Sequence, residues 1–403
     1  MNYKKNKFFL YVLYVLITIV GLTFSENYII VTSAILTYLY IGYIIEGKSS
    51  IHMMFFLGYS SFIFLPALLN WYYLDTGFEL YFLTSFVSTI FLKCTNKTII
   101  KPFVDFGTQT KKIFIILSML MIIFSLLDFG SFVEPMFAFL LFLLTLCFKQ
   151  NKVKNNIAYF ALFSLVFVFF SFFAWNGFGR TVVVGWFLLA ALLLSYSINF
   201  RVNKYLFGLV PGFAAALLSD RSLLKLSFSG FEDALNDSAY QPYRLASSFI
   251  DNFNNNGFDI SGFFDQILFT FFIFIPRDIW VSKPNGFGFE YTVRNFDQSL
   301  IDAGHSIAST LIGDHIYFLG YLGVFTSIIV LLLIAYIIRI FYRIKSLNGN
   351  GVVIFSASMM VLVWGGMTSF SARVALPSII FIFLIVLFRR VFTGELKLNF
   401  KVK

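Results

Sequence analysis

FFDQILFTFFIFIPRDIWVSKPNGFGFEY, residues 263–291, is the stretch on which the topology turns. Its apolar run, 263–275, makes a helix of 13 residues, about 20 Å at 1.5 Å per residue, against a bilayer core of about 30 Å. Read as a span, it would carry Arg339, Arg343 and Lys345 to the outer side of the membrane, against the bias of short loops toward internal lysine and arginine. Read as a re-entrant or interfacial helix, it leaves them inside. Pro276 ends the run, Trp280 suits the headgroup level, and Asn285, Gly286 and Gly288 permit a tight turn close to a ligand.

The rest of the chain makes a membrane the right setting. Of its 403 residues, 59% are hydrophobic and 12% charged, about half the charged share of an ordinary globular domain. Apolar runs near 8–24, 27–45, 51–69, 78–92, 113–128, 132–148, 157–174, 182–198, 205–218, 317–338, 351–369 and 374–391 predict an all-α polytopic bundle of about 12 transmembrane helices in the inner membrane. Lys4, Lys5 and Lys7 precede the first run with no small-residue cleavage site after it, so it reads as a span. With the N-terminus inside, 22 of the 30 lysines and arginines fall on the cytoplasmic side. The chain then divides into spans 1–9 (1–218), a large periplasmic loop with short helices (219–305) and spans 10–12 (306–403), the C-terminus cytoplasmic. The net charge of +10 is cytoplasmic lysine in this reading, and no nucleic-acid partner is expected. Cys94 and Cys147 both fall near cytoplasmic helix ends, which argues against a disulfide and against a cysteine metal site.

The cations left outside differ in kind. Inside, 17 of the 22 are lysine; outside, Arg180, Arg221, Arg244, Arg277, Arg294 and Arg373 outnumber Lys225 and Lys283. Positive charge alone sets topology, whereas a guanidinium adds a planar fork that pairs with phosphate in a bidentate way. In the loop, Arg244, Ser247, Ser248 and Asp251 share one helical face and Leu245, Phe249 and Phe253 another, which predicts an amphipathic helix on the membrane surface. From His305 to Arg339 is 34 steps, about 51 Å if helical throughout. That element therefore projects outward or breaks near Gly304 or Gly313, and His305 becomes an outer-face residue. Arg180 and Arg373, in short hairpins, are placed to look into the same outer vestibule as Arg244 and Arg277.

Outside the cytoplasmic membrane no nucleotide pool drives synthesis, but a lipid-linked pyrophosphate sugar carries its own leaving group. Glycosyl transfer from it needs cations on the departing pyrophosphate and a base for the acceptor hydroxyl, both at headgroup height. The outer arginines supply the first, and His305 the second. His315, beside Asp314, competes with His305 but lies closer to a span. Glu232, Asp233 and Asp237 lack the glycine turn of a cation loop, so no metal is expected. Zinc spacing, P-loop, dinucleotide fingerprint and serine-nucleophile elbow do not occur.

The stretch IPRDIWVSKP (275–284) resembles the PR…W…KP signature of the Wzy-type O-antigen polymerases, the oligosaccharide repeat-unit polymerases. GRTVVVGWFLLAALLL (179–194) is similar to that family's arginine followed by a leucine-rich span. STLIGDHIYFLGYLG (309–323) is similar to its glycine–glutamate pattern, with Asp314 in the place of the usual Glu. The resemblance covers roughly 179–325. It implies a membrane glycosyltransferase of the GT-C type that moves a growing glycan from undecaprenyl pyrophosphate onto a fresh lipid-linked repeat unit, without a cofactor and beside a chain-length regulator. Arg180, Arg244, Arg277 and His305 are the expected catalytic residues, and Lys283, Arg294, Arg373, Trp280 and Asp314 the expected substrate contacts. An O-antigen ligase and a lipid-linked oligosaccharide flippase are the alternatives.

Overall fold

The computed structural model of the protein describes residues 2–24, 26–45, 47, 49–74, 77–95, 107–127, 130–149, 152–174, 180–217, 240–273, 275, 277–295, 307–343 and 351–371. Among these there are helices and no strand. Among the described residues, four helices are long and apolar enough to cross a membrane: Asn27–Ile44, Ser50–Tyr72, Val153–Phe173 and Leu322–Arg343. The apolar helices Phe9–Thr23, Val184–Ser197, Ile260–Phe272 and Phe355–Phe370 are shorter.

The elements in chain order are α1 (Asn2–Thr23), α2 (Asn27–Ile44), α3 (Ser50–Tyr59), a π-helical turn (Ser60–Phe64), α4 (Leu65–Leu74), α5 (Phe78–Thr95), α6 (Gly107–Leu126), α7 (Gly130–Cys147), α8 (Val153–Phe169), a second π-helical turn (Phe170–Ala174), α9 (Arg180–Ser197) and α10 (Lys204–Leu217). After 218–239 come α11 (Gln241–Asn256), α12 (Ile260–Phe272), α13 (Phe287–Asn295), α14 (Thr310–Leu319), α15 (Leu322–Arg343) and α16 (Gly351–Phe370). α3 is buried along its whole length and packs on α16, α10 and α9, so it is the centre of the bundle. The helices around it turn apolar stripes outward, such as Leu322, Phe325, Ile329, Leu332, Tyr336 and Ile340 on α15. Such a stripe is the helical repeat turned inside out, which lipid tolerates and water does not.

Named contacts sort the bundle into two ends. At one, Ser50 meets Ser356 at 2.5 Å, His52 Nε2 meets Thr95 Oγ1 at 3.0 Å, and Arg339 donates to the carbonyl of Cys94. At the other, Tyr243 donates to Gly77 O at 2.6 Å, Tyr321 bonds Glu79, and Met367 N donates to Asp314 at 3.3 Å. The charge bias divides these same residues into the same two sets.

Three expectations change in detail. The long element from 305 breaks at Gly320, where φ is 53°, and not at Gly313, which lies inside α14; Gly304 is outside the described residues. The amphipathic helix is α11, but its apolar face (Tyr243, Ala246, Phe249, Ile250) is buried against α14 and not laid on lipid. Gly288 permits close approach, but to the chain itself: a Cβ there would sit 2.3 Å from the carbonyl of Ile307.

Candidate functional site

α12 is the element around which the site is built. Its buried positions are Gly262, Gln266 and Thr270, spaced by four, while Ile260, Phe264, Leu268, Phe271 and Phe272 are exposed. The helix therefore turns its least hydrophobic stripe inward. Asp259 caps it, accepting from Gly262 N at 2.8 Å, and Gly320, which ends α14, turns the chain into α15 two residues later.

Facing that stripe is a small cleft of about 20 Å³, room for about one water, lined by Gln266 and Thr270 of α12, Asp314 and His315 of α14, Thr368 of α16, and apolar side chains including Phe263, Phe318 and Val330. Asp314 is 3% exposed. Its Oδ2 accepts from Met367 N at 3.3 Å and its Oδ1 from His315 N at 3.0 Å. The Met367 amide is available because α16 breaks one residue earlier, at Gly366, with φ 70° and ψ −168°. Only glycine adopts that backbone readily, and a Cβ there would sit 2.5 Å from Ser309 Oγ and 2.6 Å from Thr310 O. Thr310 has a positive φ of 66°, a strained value for a β-branched residue, so two irregular stretches of backbone face each other across Asp314. Burial pushes the Asp314 carboxyl up to about 7, and the same burial lowers His315 to about 4.

The His315 tautomer follows from its neighbours. Thr326 Oγ1 donates to Gly323 O at 3.0 Å, so it accepts from His315 Nδ1–H at 2.8 Å. The neutral ring then carries its lone pair on Nε2. Gln266 Nε2 donates to Asn285 O at 3.1 Å, and Gln266 Oε1 is buried without a hydrogen-bond partner.

Asn285 leads from the cleft to the PR…W…KP loop. Arg277 donates from Nη1 to Lys283 O at 2.8 Å and from Nη2 to Pro284 O at 3.2 Å and Asn285 Oδ1 at 2.5 Å. Lys283 Nζ donates back to Ile273 O at 2.6 Å and Ile275 O at 2.8 Å, capping the C-terminal end of α12. The two cations thus hold the loop in shape. Arg277 has five donors, of which these bonds use three, and the residue stays exposed. Trp280 is half-buried, with Nε1 donating to Ser282 Oγ at 3.1 Å, between Ile279 and Val281, which are 77% and 85% exposed. Arg294 is matched by two carboxylates, Glu290 at 2.9 Å and Asp259 at 3.3 Å, and so ties α13 to the cap of α12. Arg244 lies on the exposed side of α11. Arg180 begins α9, but its side chain, like His305 and Arg373, lies outside the described residues.

Hydrogen bonds link Arg277 to the Lys283 carbonyl and to Asn285, and Asn285 to Gln266, which lines the same cleft as Asp314. Gln266, Thr270 and Thr368 were missed in the sequence because nothing marks a polar residue inside an apolar run as inward. Their spacing of four on α12 is the signal that could have found the first two. Compared with protein-family models, with curated proteins and with solved structures, the chain finds no match in any of the three. What fold and site define together is a helical protein, four of whose described helices are long and apolar enough to cross a membrane, with a small cleft over a buried carboxylate at one end of its bundle.

Proposed function

We propose that the protein is an O-antigen or surface-polysaccharide polymerase, a metal-independent glycosyltransferase of the inner membrane with about 12 spans and its active site on the periplasmic face. One observation carries the reading: a buried carboxylate beside a neutral histidine, in a cleft built by two helices too short to span and joined through Gln266 and Asn285 to the Arg277 loop. Ionisable groups so placed in a membrane protein mark a site of chemistry or passage. Non-helical backbone at such depth is tolerated where it is buried in protein or lines a cavity, and here it surrounds Asp314.

In this reading the growing glycan arrives on undecaprenyl pyrophosphate. Arg180, Arg244 and Arg277, supported by Arg373 and Lys283, meet the charge that develops on the leaving pyrophosphate. The Arg277 guanidinium is suited to this because the loop fixes its plane in advance, so little order remains to be imposed as charge develops. The exposed Ile279 and Val281 flanking Trp280 seat the loop at headgroup height, where the pyrophosphate lies.

Deletion of the gene in its host, read as a surface-polysaccharide ladder, tests the function. A single repeat unit on lipid A-core is the expected outcome. Polymer held on the lipid carrier with none on lipid A-core means a ligase instead, and units trapped at the inner leaflet mean a flippase.

A further inference from the structure

The length of α12 suits both a re-entrant helix, which dips into the bilayer end first, and an interfacial one, which lies along it. Its faces and its charges favour one of the two. At about 100° per residue, the helix has three sectors. Gly262, Gln266 and Thr270 are buried and turn toward α14 and α16. Ile260, Phe264, Leu268 and Phe271 are exposed and form an apolar stripe on the far side. Ser261 and Asp265, both exposed, fall along one edge of that stripe, and the half-buried Phe263 and Ile267 fall along the other. A helix packed on a protein in water needs two sectors, inward and outward. A third, with exposed apolar side chains beside a polar edge, suits a helix where protein, hydrocarbon and water meet.

The surroundings of each edge agree. On the polar side lies the loop that follows α12. Phe269, next round the helix from Asp265, is covered there by Gly286, where a Cβ would sit 2.8 Å from its ring, and Lys283 Nζ lies 5.7 Å from the ring centroid. The Trp280 ring meets Phe272, which shares the edge with Ser261 and Asp265, at 6.3 Å. On the apolar side, Phe263 and Ile267 line the same small cleft as Val330, which lies two turns into α15, a helix long and apolar enough to span.

Charges run along the whole of α12. Asp259, paired with Arg294 at 3.3 Å, caps its start; Asp265 stands mid-helix; Arg277 and Asp278 are exposed just past its end. Placed end first, the helix would carry one of its charged ends into hydrocarbon, where ionised groups are costly. Placed along the interface, it keeps all of them among headgroups and water.

We infer that α12 lies in the plane of the bilayer's outer-facing interface and is a lipid-docking surface. The stripe of Ile260, Phe264, Leu268 and Phe271 rests on the acyl chains of bilayer phospholipids, and the edge of Ser261 and Asp265 faces headgroups and water. This needs a membrane and an outward-facing end, not the polymerase chemistry. On the polymerase reading, the same seat brings the Arg277 guanidinium to the height of the carrier's pyrophosphate.

The test uses the full-length protein in nanodiscs whose phospholipids are brominated at known chain depths. Ile260→Cys, Phe271→Cys and Asp265→Cys, each in a chain with Cys94 and Cys147 replaced by serine or alanine, carry the polarity-sensitive fluorophore NBD. Labels at 260 and 271 should emit at shorter wavelength than in water and be quenched most by the same shallow bromine position, although 11 steps of helix, about 16 Å, separate them. The label at 265 should be quenched by aqueous iodide. Depths at 260 and 271 that differ by most of that length mean a re-entrant helix and overturn the inference. Blue-shifted emission that bromolipids leave unquenched means that another part of the chain or a second copy covers the stripe, and water-like emission at both means that it faces solvent; either overturns it. Should the variants not accumulate, the unaltered chain carries the test. A phospholipid with a diazirine high on its chain should label residues 260–271, and a water-soluble carbodiimide with glycine ethyl ester should modify Asp265 while sparing the buried Asp314. Absence of the lipid adduct, or protection of Asp265, overturns the inference. A deletion strain that still makes a full ladder overturns the polymerase reading and leaves these readouts unchanged.

Discussion

At the residue scale, a charged side chain can serve the fold and the reaction at once, and substitutions separate the two. Arg277 offers a planar fork to three acceptors within its own loop; Arg277→Lys keeps three donors but on one shorter-reaching nitrogen that does not match the fork, and Arg277→Ala leaves all three acceptors without it. The loss expected for the alanine variant is about 1–2 kcal/mol of local loop stability, since hydrogen bonds from a charged donor are worth more than neutral ones but this one is exposed. Asn285→Ala removes one acceptor and leaves the guanidinium. Limited proteolysis between 277 and 285 should therefore rank the variants Arg277→Ala, then Arg277→Lys, then Asn285→Ala. In the ladder assay Asn285→Ala should retain most polymer while Arg277→Ala retains none. Equal loss in both would mean that Arg277 acts through the shape of the loop alone. Asp314 and His315 give a second residue-scale outcome. The Asp314 carboxyl rises from 3.8 to about 7 on folding, so between those values the folded state holds the extra proton and stability falls as pH rises. His315 falls from 6.5 to about 4, so over that window the folded state holds fewer protons and stability rises with pH. The two slopes oppose each other between about pH 4 and 6.5. His315→Gln should expose the carboxylate slope, with thermal stability falling as pH goes from 4 to 7, and Asp314→Asn should expose the opposite one. A melting temperature insensitive to pH in both variants would refute the assignment.

At the element scale, what decides the site is which face each helix turns inward. α12 was legible as a short, non-spanning helix from its length, but its inward face was not, because hydropathy alone does not distinguish a lipid-facing phenylalanine from a buried one. The helix surrounds Gln266 and Thr270 with nine apolar residues or glycines, and only packing against α14 and α16 shows that these two look into protein. The break in α16 was equally hidden: GGM at 365–367 reads as an uninterrupted apolar run, and the role of Gly366 appears only once Asp314 is seen opposite it. Gly366→Ala tests that junction. The new methyl meets Ser309 Oγ and Thr310 O well inside contact distance, in a backbone region that alone costs on the order of 1–3 kcal/mol for a non-glycine residue. The expected result is a melting temperature lowered by several degrees and loss of polymerisation, with the helices at the opposite end unaffected in hydrogen exchange. A thermal shift of less than a degree would mean that the break is not fixed by Gly366.

At the scale of the whole molecule, the charge pattern and the contacts divide the chain in the same way by independent routes. Lysine and arginine counts assign Lys93, Arg339 and Arg343 to one side and Arg244, Arg277 and Lys283 to the other. In the structure Arg339 reaches Cys94 at one end, while α11 reaches Gly77 and the Arg277 loop sits on α12 at the other. Hydropathy could not settle how the short helices pack, since they are apolar yet shorter than a span, and it overlooks that α11 uses its apolar face on α14. The division nonetheless makes a direct prediction. In a chain whose native Cys94 and Cys147 are replaced by serine or alanine, a cysteine at Ser282, which is exposed beside Trp280, should react with a membrane-impermeant maleimide in intact cells whose outer membrane has been permeabilised. A cysteine at Arg343, the exposed last residue of α15, should react only after the inner membrane is opened, because 22 residues of helix, about 33 Å, separate it from Leu322 at the other end. Labelling of both from the outside would place the two ends on one side of the membrane. It would also remove the asymmetry on which a periplasmic cleft depends, because the arginine-rich end would then have no reason to differ in chemistry from the lysine-rich one.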